Sequence, residues 1–124
     1  MIIAKGAVVL DGVEIGRGSI IAPNAVLTTD IKIGEFVLVN YLSSIGHDST
    51  IGNFSTINPG SNIAGNVLIG TQCDIGSGTK VIQNKSIADN TTTGAGAVVV
   101  NDVNEENCLL VGVPAKVIRR NYGI

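Results

Sequence analysis

The segment from Ile45 to Val81 reads IGHDSTIGNFSTINPGSNIAGNVLIGTQCDIGSGTKV, and each of its six-residue units begins with an aliphatic residue. The same step continues in both directions, without insertion or deletion, between Ile3 and Asn104. Sixteen of the seventeen first positions are aliphatic: Ile3, Val9, Ile15, Ile21, Leu27, Ile33, Val39, Ile45, Ile51, Ile57, Ile63, Ile69, Ile75, Val81, Ile87 and Val99, with Thr93 as the exception. An uninterrupted hexapeptide period is typical of a parallel β-helix.

Each hexad predicts a short strand followed by a corner. The first position is expected to point inward, the fifth is usually small, and the middle positions often carry Gly, Asn or Asp, which tolerate turn conformations. Three hexads close one triangular coil, so 17 hexads, or 102 residues, give about 5.7 coils. At roughly 4.8 Å per coil the prism is about 27 Å tall. A helix of 3.6 residues per turn does not keep one face at a period of six, and a flat antiparallel sheet would show a period of two.

The repeat ends near Asn104, which divides the single domain of 124 residues into two parts. We expect a β-helix over residues 1–104 and a capping segment over residues 105–124. The capping segment turns apolar again at Leu109 and ends in Arg119 and Arg120, so it would cover the open end of the last coil.

Composition argues against several classes of partner. The net charge is −2 and the eight basic residues form no long run, so nucleic acid is not an expected partner. The sequence shows no signal peptide and no stretch long enough to cross a membrane, so no membrane contact is expected. The two cysteines, Cys73 at an inward fifth position and Cys108 beyond the repeat, are interpreted as thiols in a reducing cytoplasm.

His47 is the only histidine, and the repeat places it at a corner with Gly65 one coil above it. Histidine exchanges a proton near neutral pH, and a backbone N–H at Gly65 would be suited to stabilising an oxyanion. Asp48 follows directly and would orient the ring. From spacing alone, an exposed corner histidine beside an acid, without catalytic function, is an equally good interpretation.

The segments Gly46–Phe54, Pro59–Gly60, Ala64–Val67, Ile69–Gly70 and Gly112–Lys116 together resemble the NeuD/PglD-like acetyltransferases. The resemblance covers nearly the whole chain. It implies a left-handed β-helix that works as a homotrimer, with acetyl-CoA as co-substrate, no required metal, and a sugar or sugar nucleotide as acceptor.

The resemblance also implies roles for individual residues. His47 would be the general base, Asp48 would support it, and Gly65 would donate its N–H to the thioester carbonyl. By the same resemblance, the cofactor site would include Thr56, Gly65, Ser77, Ala95, Gly96 and Lys116. Lys116, Arg119 and Arg120 would meet the CoA phosphates, and a solvated basic tail is an equally good interpretation of these three residues.

Two features depart from that family. Thr56 stands where sugar-nucleotide members carry a second histidine, and the N-terminal βαβ domain that binds the sugar nucleotide has no counterpart before the first coil. The resemblance nevertheless implies a 4-amino sugar nucleotide as acceptor, with a sialic acid or other sugar hydroxyl as the alternative. A non-catalytic structural trimer is a further alternative, and a carbonic anhydrase of the same fold is disfavoured because it needs three histidines for its metal.

Overall fold

The structure, a computed structural model, describes residues 1–123 and builds the repeat from seventeen two-residue strands, β1–β17, followed by β18 and β19. Successive strands fall in turn on three sheets, which we name A, B and C. Sheet A contains β1 (Ile2–Ile3), β4 (Ile20–Ile21), β7 (Leu38–Val39), β10 (Thr56–Ile57), β13 (Asp74–Ile75), β16 (Thr92–Thr93), β18 (Leu109–Val111) and β19 (Lys116–Arg119). Sheet B contains β2 (Val8–Val9), β5 (Val26–Leu27), β8 (Ser44–Ile45), β11 (Asn62–Ile63), β14 (Lys80–Val81) and β17 (Val98–Val99). Sheet C contains β3 (Glu14–Ile15), β6 (Lys32–Ile33), β9 (Thr50–Ile51), β12 (Leu68–Ile69) and β15 (Ser86–Ile87).

Within the repeat, every strand pairs in parallel with the strand one coil away, at an offset of 18 residues. Ile57, for example, lies between Val39 and Ile75 on sheet A. The predicted parallel β-helix is confirmed. Its three corners are named by the sheets they join: the A–B corner (residues 58–61 and equivalents), the B–C corner (46–49) and the C–A corner (52–55).

The first position of each hexad fills the interior, as predicted. From Ile21 to Val99 these side chains are all buried. Ile3 in the first coil is 45% exposed, because that coil has a neighbouring rung on one side only. Burial of stacked aliphatic side chains is the main stabilising term of such a solenoid.

A second interior column explains why the fifth position is small and often polar. The buried hydroxyl of Ser55 donates to the Gly70 carbonyl at 2.7 Å and accepts from the Cys73 amide at 3.0 Å. Ser19 and Ser49 make the same pair of contacts in their own coils. Each hydroxyl thus satisfies a carbonyl and an amide of the coil above, which a buried backbone requires.

The fourth position of each hexad makes the corner. All sixteen fourth-position residues from Gly6 to Gly96 have φ between 54° and 88°, and ten of them are not glycine. Glycine and asparagine adopt this left-handed backbone with little conformational free-energy cost, whereas a bulky apolar residue is destabilised there by roughly 1–2 kcal/mol. Phe36, Leu42 and Phe54 nevertheless adopt it.

The C-terminal segment completes a last, irregular coil. Val103 pairs with Ile87 at the top of sheet C, β18 pairs with β16 at the top of sheet A, and Ala115 donates to the Val98 carbonyl at the top of sheet B. β19 then returns antiparallel along β18. The strand edges of the last regular coil are covered in this way. In residues 1–123 we find no helix with the length and apolarity needed to span a bilayer.

The hydroxyl column gives a stability prediction. Ser55→Ala leaves the Gly70 carbonyl and the Cys73 amide without their partner, which should cost about 1–3 kcal/mol. The measurement is the denaturant midpoint at fixed protein concentration, with Ser86→Ala, which alters an exposed serine, as the control. Equal midpoints for the two variants would contradict the role of the column.

Candidate functional site

His47 and Asp48 occupy the B–C corner between β8 and β9. Their side chains are 56% and 60% exposed, and His47 Nδ1 lies 2.9 Å from Asp48 Oδ2. An ionised carboxylate only accepts hydrogen bonds, so Nδ1 carries the proton in this contact, and in the neutral ring the lone pair is then on Nε2. The corner therefore presents a ring nitrogen that can accept a proton.

Gly65 lies one rung above His47, and the ring packs directly against it. A Cβ built on Gly65 would lie 2.4 Å from His47 Nε2, which no real side chain tolerates. The stack is fixed by the Asn66 amide, which donates to the His47 carbonyl at 2.6 Å. Glycine is thus required at position 65 because a larger residue would clash with the ring, and not because the backbone there needs a positive φ.

The Gly65 amide is available as a donor but is not openly exposed. Its N–H has no hydrogen-bond acceptor among residues 1–123, yet the residue is buried because the imidazole covers it. The sequence predicted a backbone N–H one rung above His47 without its cover. In the structure, an acyl oxygen reaches this amide only past the edge of the ring or after the ring turns.

Gly46 also shapes this corner, although the sequence interpretation assigned it no role. A Cβ on Gly46 would lie 2.6 Å from the Gly65 nitrogen. A side chain there would obstruct the same amide. The available signal was a glycine at the second position of the hexad that contains His47.

Ser77, Ala95 and Gly96 lie on a different corner, A–B, and are exposed. The amides of Ser77 and Ala95 have no acceptor within the described chain, whereas Gly96 donates to the Ser77 carbonyl at 2.8 Å. A Cβ on Gly96 would meet nothing within 4 Å, so a ligand could approach the backbone closely there. Sheet B separates this column from His47 within one protomer.

Thr56 and Lys116 lie on sheet A, outside the His47 corner. Thr56 begins β10 on sheet A and is half-buried, and Lys116 begins β19 in the cap and is exposed. Arg120 pairs with Glu105 at 2.9 Å and Arg119 lies over the Tyr122 ring. Among residues 1–123 the structure thus brings His47, Asp48 and Gly65 together on one corner, and Ser77, Ala95 and Gly96 together on another.

Both cysteines are free and buried. Burial raises the pKa of the Cys73 thiol, and at Cys108 the nearby Glu105 carboxylate adds to the same effect, so both remain protonated at neutral pH. A protonated, buried thiol is a poor nucleophile. Across residues 1–123, no three His, Cys, Asp or Glu side chains converge in a way that could hold a metal ion.

Comparison with known proteins places this geometry in context. Residues 2–29 match the family model described as bacterial transferase hexapeptide (six repeats). The chain is similar to the structure of WeeI from Acinetobacter baumannii AYE, with 37% identity and a TM-score of 0.89 over 93% of this chain and 56% of that one. A search of curated proteins found no match.

Two similar structures contain ligands. PerB from Caulobacter crescentus, in complex with CoA and GDP-perosamine, shares 33% identity with a TM-score of 0.92 over 94% of this chain and 56% of its own. The acetyltransferase domain of PglB from Neisseria gonorrhoeae FA1090, in complex with acetyl coenzyme A, shares 33% identity with a TM-score of 0.91 over 94% and 56%. The chain thus spans just over half the length of these proteins.

The contact between His47 and Gly65 gives a structural prediction. Gly65→Ala should displace the imidazole and break its hydrogen bond to Asp48, because the added methyl group would lie only 2.4 Å from His47 Nε2. The displacement is measured as a change in the imidazole nitrogen signals of a ¹H–¹⁵N NMR spectrum. These signals need no assignment, because the chain has one histidine.

Asn101→Ala, at an exposed position in the last, irregular coil, is the control and should leave the His47 signals in place. Unchanged ring signals in Gly65→Ala would show that the imidazole does not pack against residue 65.

Proposed function

We propose that the chain is the acyl-transfer domain of a hexapeptide-repeat, acetyl-CoA-dependent N-acetyltransferase that acts on an amino sugar nucleotide. The observation that carries the proposal is the corner at His47. It combines a proton-accepting Nε2, a carboxylate on Nδ1 and an unpaired amide at Gly65. In this proposal residues 1–104 form the catalytic solenoid and residues 105–124 its cap.

The proposed reaction is a direct transfer within a ternary complex. The acceptor nitrogen attacks the thioester carbonyl carbon while His47 Nε2 removes a proton from that nitrogen. The Gly65 N–H donates to the developing oxyanion. The attack forms the C–N bond, and collapse of the tetrahedral intermediate restores the C=O bond and breaks the C–S bond, after which His47 returns the proton to the CoA thiolate. Asp48 keeps the ring oriented throughout by accepting from Nδ1. No covalent acetyl-enzyme is involved, since both thiols are buried and protonated.

Acetyl-CoA would bind along the A–B corner. The free amides of Ser77 and Ala95 are suited to the amide carbonyls of the pantetheine arm, and Gly96 leaves room for it. Thr56 would contact the cofactor from sheet A and Lys116 would meet its phosphates. The thioester supplies the activated acetyl group, and the residues of the chain position it and move the proton.

The proposal also covers the acceptor, the assembly and the cellular compartment. PerB, solved with GDP-perosamine, supports a sugar nucleotide as acceptor. Because one protomer does not bring its own A–B and B–C columns together, we propose a homotrimer with each site between two protomers. The free, buried cysteines fit a cytoplasmic protein.

Replacement of the base tests the mechanism. His47→Ala should lower kcat by about 10²–10⁴-fold, the usual contribution of general acid–base catalysis, while acetyl-CoA still binds. Thiol release from acetyl-CoA is followed with a panel of amino sugars and sugar nucleotides, and binding is measured by calorimetry.

The matched control is Gln83→Ala, an exposed residue of the same column. Near wild-type turnover in His47→Ala would refute the base assignment. Failure of the unaltered protein to bind acetyl-CoA would favour a structural solenoid instead.

A further inference from the structure

Asn66 lies between the two groups of the proposed site that must act together. It follows Gly65 directly along the chain, and its own backbone N–H donates to the His47 carbonyl at 2.6 Å. The equivalent bond one rung below, from the Asp48 N–H to the Thr29 carbonyl, measures 3.1 Å. The residue that carries the proposed base is therefore tied by a short hydrogen bond to the peptide that joins Gly65 to Asn66.

The side chain of Asn66 extends the same network to the next rung. Its Nδ2 donates to Asn84 Oδ1 at 2.9 Å, and the Asn84 N–H donates to the Gly65 carbonyl at 3.1 Å. Both asparagines adopt the left-handed backbone, with φ of 54° and 65°, which asparagine tolerates better than most residues with a side chain. The carbonyls of His47 and Gly65 are thus each held by one member of a pair whose side chains hold each other.

We infer that Asn66 is a positioning residue, which sets the Gly65 amide and the imidazole of His47 at the relative position that acetyl transfer requires. The inference rests on the proposed function, because it assigns Asn66 to the reaction of that site. Asn66 acts through the orientation of its two neighbours and not through contact with the acyl group. Misplacement of reacting groups by about 1 Å can lower a rate roughly 100-fold, so a small shift of either neighbour is measurable.

The fourth-position column of the B–C corner explains why residue 66 is an asparagine. The two rungs below carry Asp30 and Asp48, which also adopt the left-handed backbone, so backbone conformation alone does not select asparagine over aspartate. An ionised carboxylate at position 66 could not donate to Asn84 Oδ1, and it would stand one rung, roughly 4.8 Å, above the carboxylate of Asp48. Asparagine supplies the donor without placing a second negative charge beside Asp48.

A second asparagine pair of the same geometry lies away from the site, on the C–A corner. Asn90 Nδ2 donates to Asn107 Oδ1 at 2.5 Å, and the two residues have φ of 54° and 61°. Their backbone N–H groups donate to the carbonyls of Thr71 and Asp89, at 2.8 and 3.2 Å. None of these four residues has a role in the proposed reaction. Asn90→Ala is therefore the matched control for Asn66→Ala.

Steady-state kinetics of the two alanine variants test the inference. Asn66→Ala should lower kcat by about 10- to 100-fold with the KM for acetyl-CoA nearly unchanged, because the displaced amide serves the transition state. Asn90→Ala should keep the kcat of the unaltered protein. Asn66→Gly, which retains the left-handed backbone and the N–H on the His47 carbonyl, should lose less activity than Asn66→Ala.

The imidazole nitrogen signals of His47 give a second readout, which needs no activity. They should move in Asn66→Ala and stay in place in Asn90→Ala, because alanine disfavours the left-handed backbone that keeps the N–H of residue 66 on the His47 carbonyl. Equal kcat values for the two alanine variants, or unmoved ring signals in Asn66→Ala, would overturn the inference and leave the proposed function in place. Absence of acetyl transfer by the unaltered protein would instead refute the proposed function, and with it the assignment of Asn66 to that reaction.

Discussion

The hydrogen-bonded register in which each residue stacks on the residue 18 positions later is the constraint on which the rest of this structure depends. It holds because the interior of the prism is filled by one aliphatic side chain per hexad and because the fifth-position hydroxyls join successive coils. A shift by one residue would turn the aliphatic column outward, so the register is strongly specified. The contact between His47 and Gly65 is a local consequence of this register.

The fold followed from the sequence to an unusual degree, for a physical reason. Each coil contacts only its neighbouring coils, so the position of a residue in the hexapeptide pattern also fixes its position in the tertiary structure. Ile57 and Cys73 were placed inward by counting, and both are buried. The register of the last coil could not be predicted by counting residues, because β18 pairs with β16 at an offset of 17 residues and not 18.

The site was only partly visible in the sequence. Counting placed Gly65 above His47, but it did not show that the ring covers the glycine and hides the amide, because that depends on a side-chain rotamer. The space requirement at Gly46 was also missed, since a glycine in a corner is readily explained by turn geometry. In the proposed homotrimer, Ser77 and Ala95 would complete a site with His47 of another protomer, and the repeat of a single chain carries no direct record of its neighbour.

The most direct measurement of the central claim is a crystal structure with CoA bound. The account predicts that the CoA sulfur lies close to His47 Nε2 of one protomer and that the pantetheine arm runs along Ser77 and Ala95 of the next, with the acyl position within hydrogen-bond distance of the Gly65 amide. A CoA molecule bound entirely by one protomer, or bound away from His47, would contradict it.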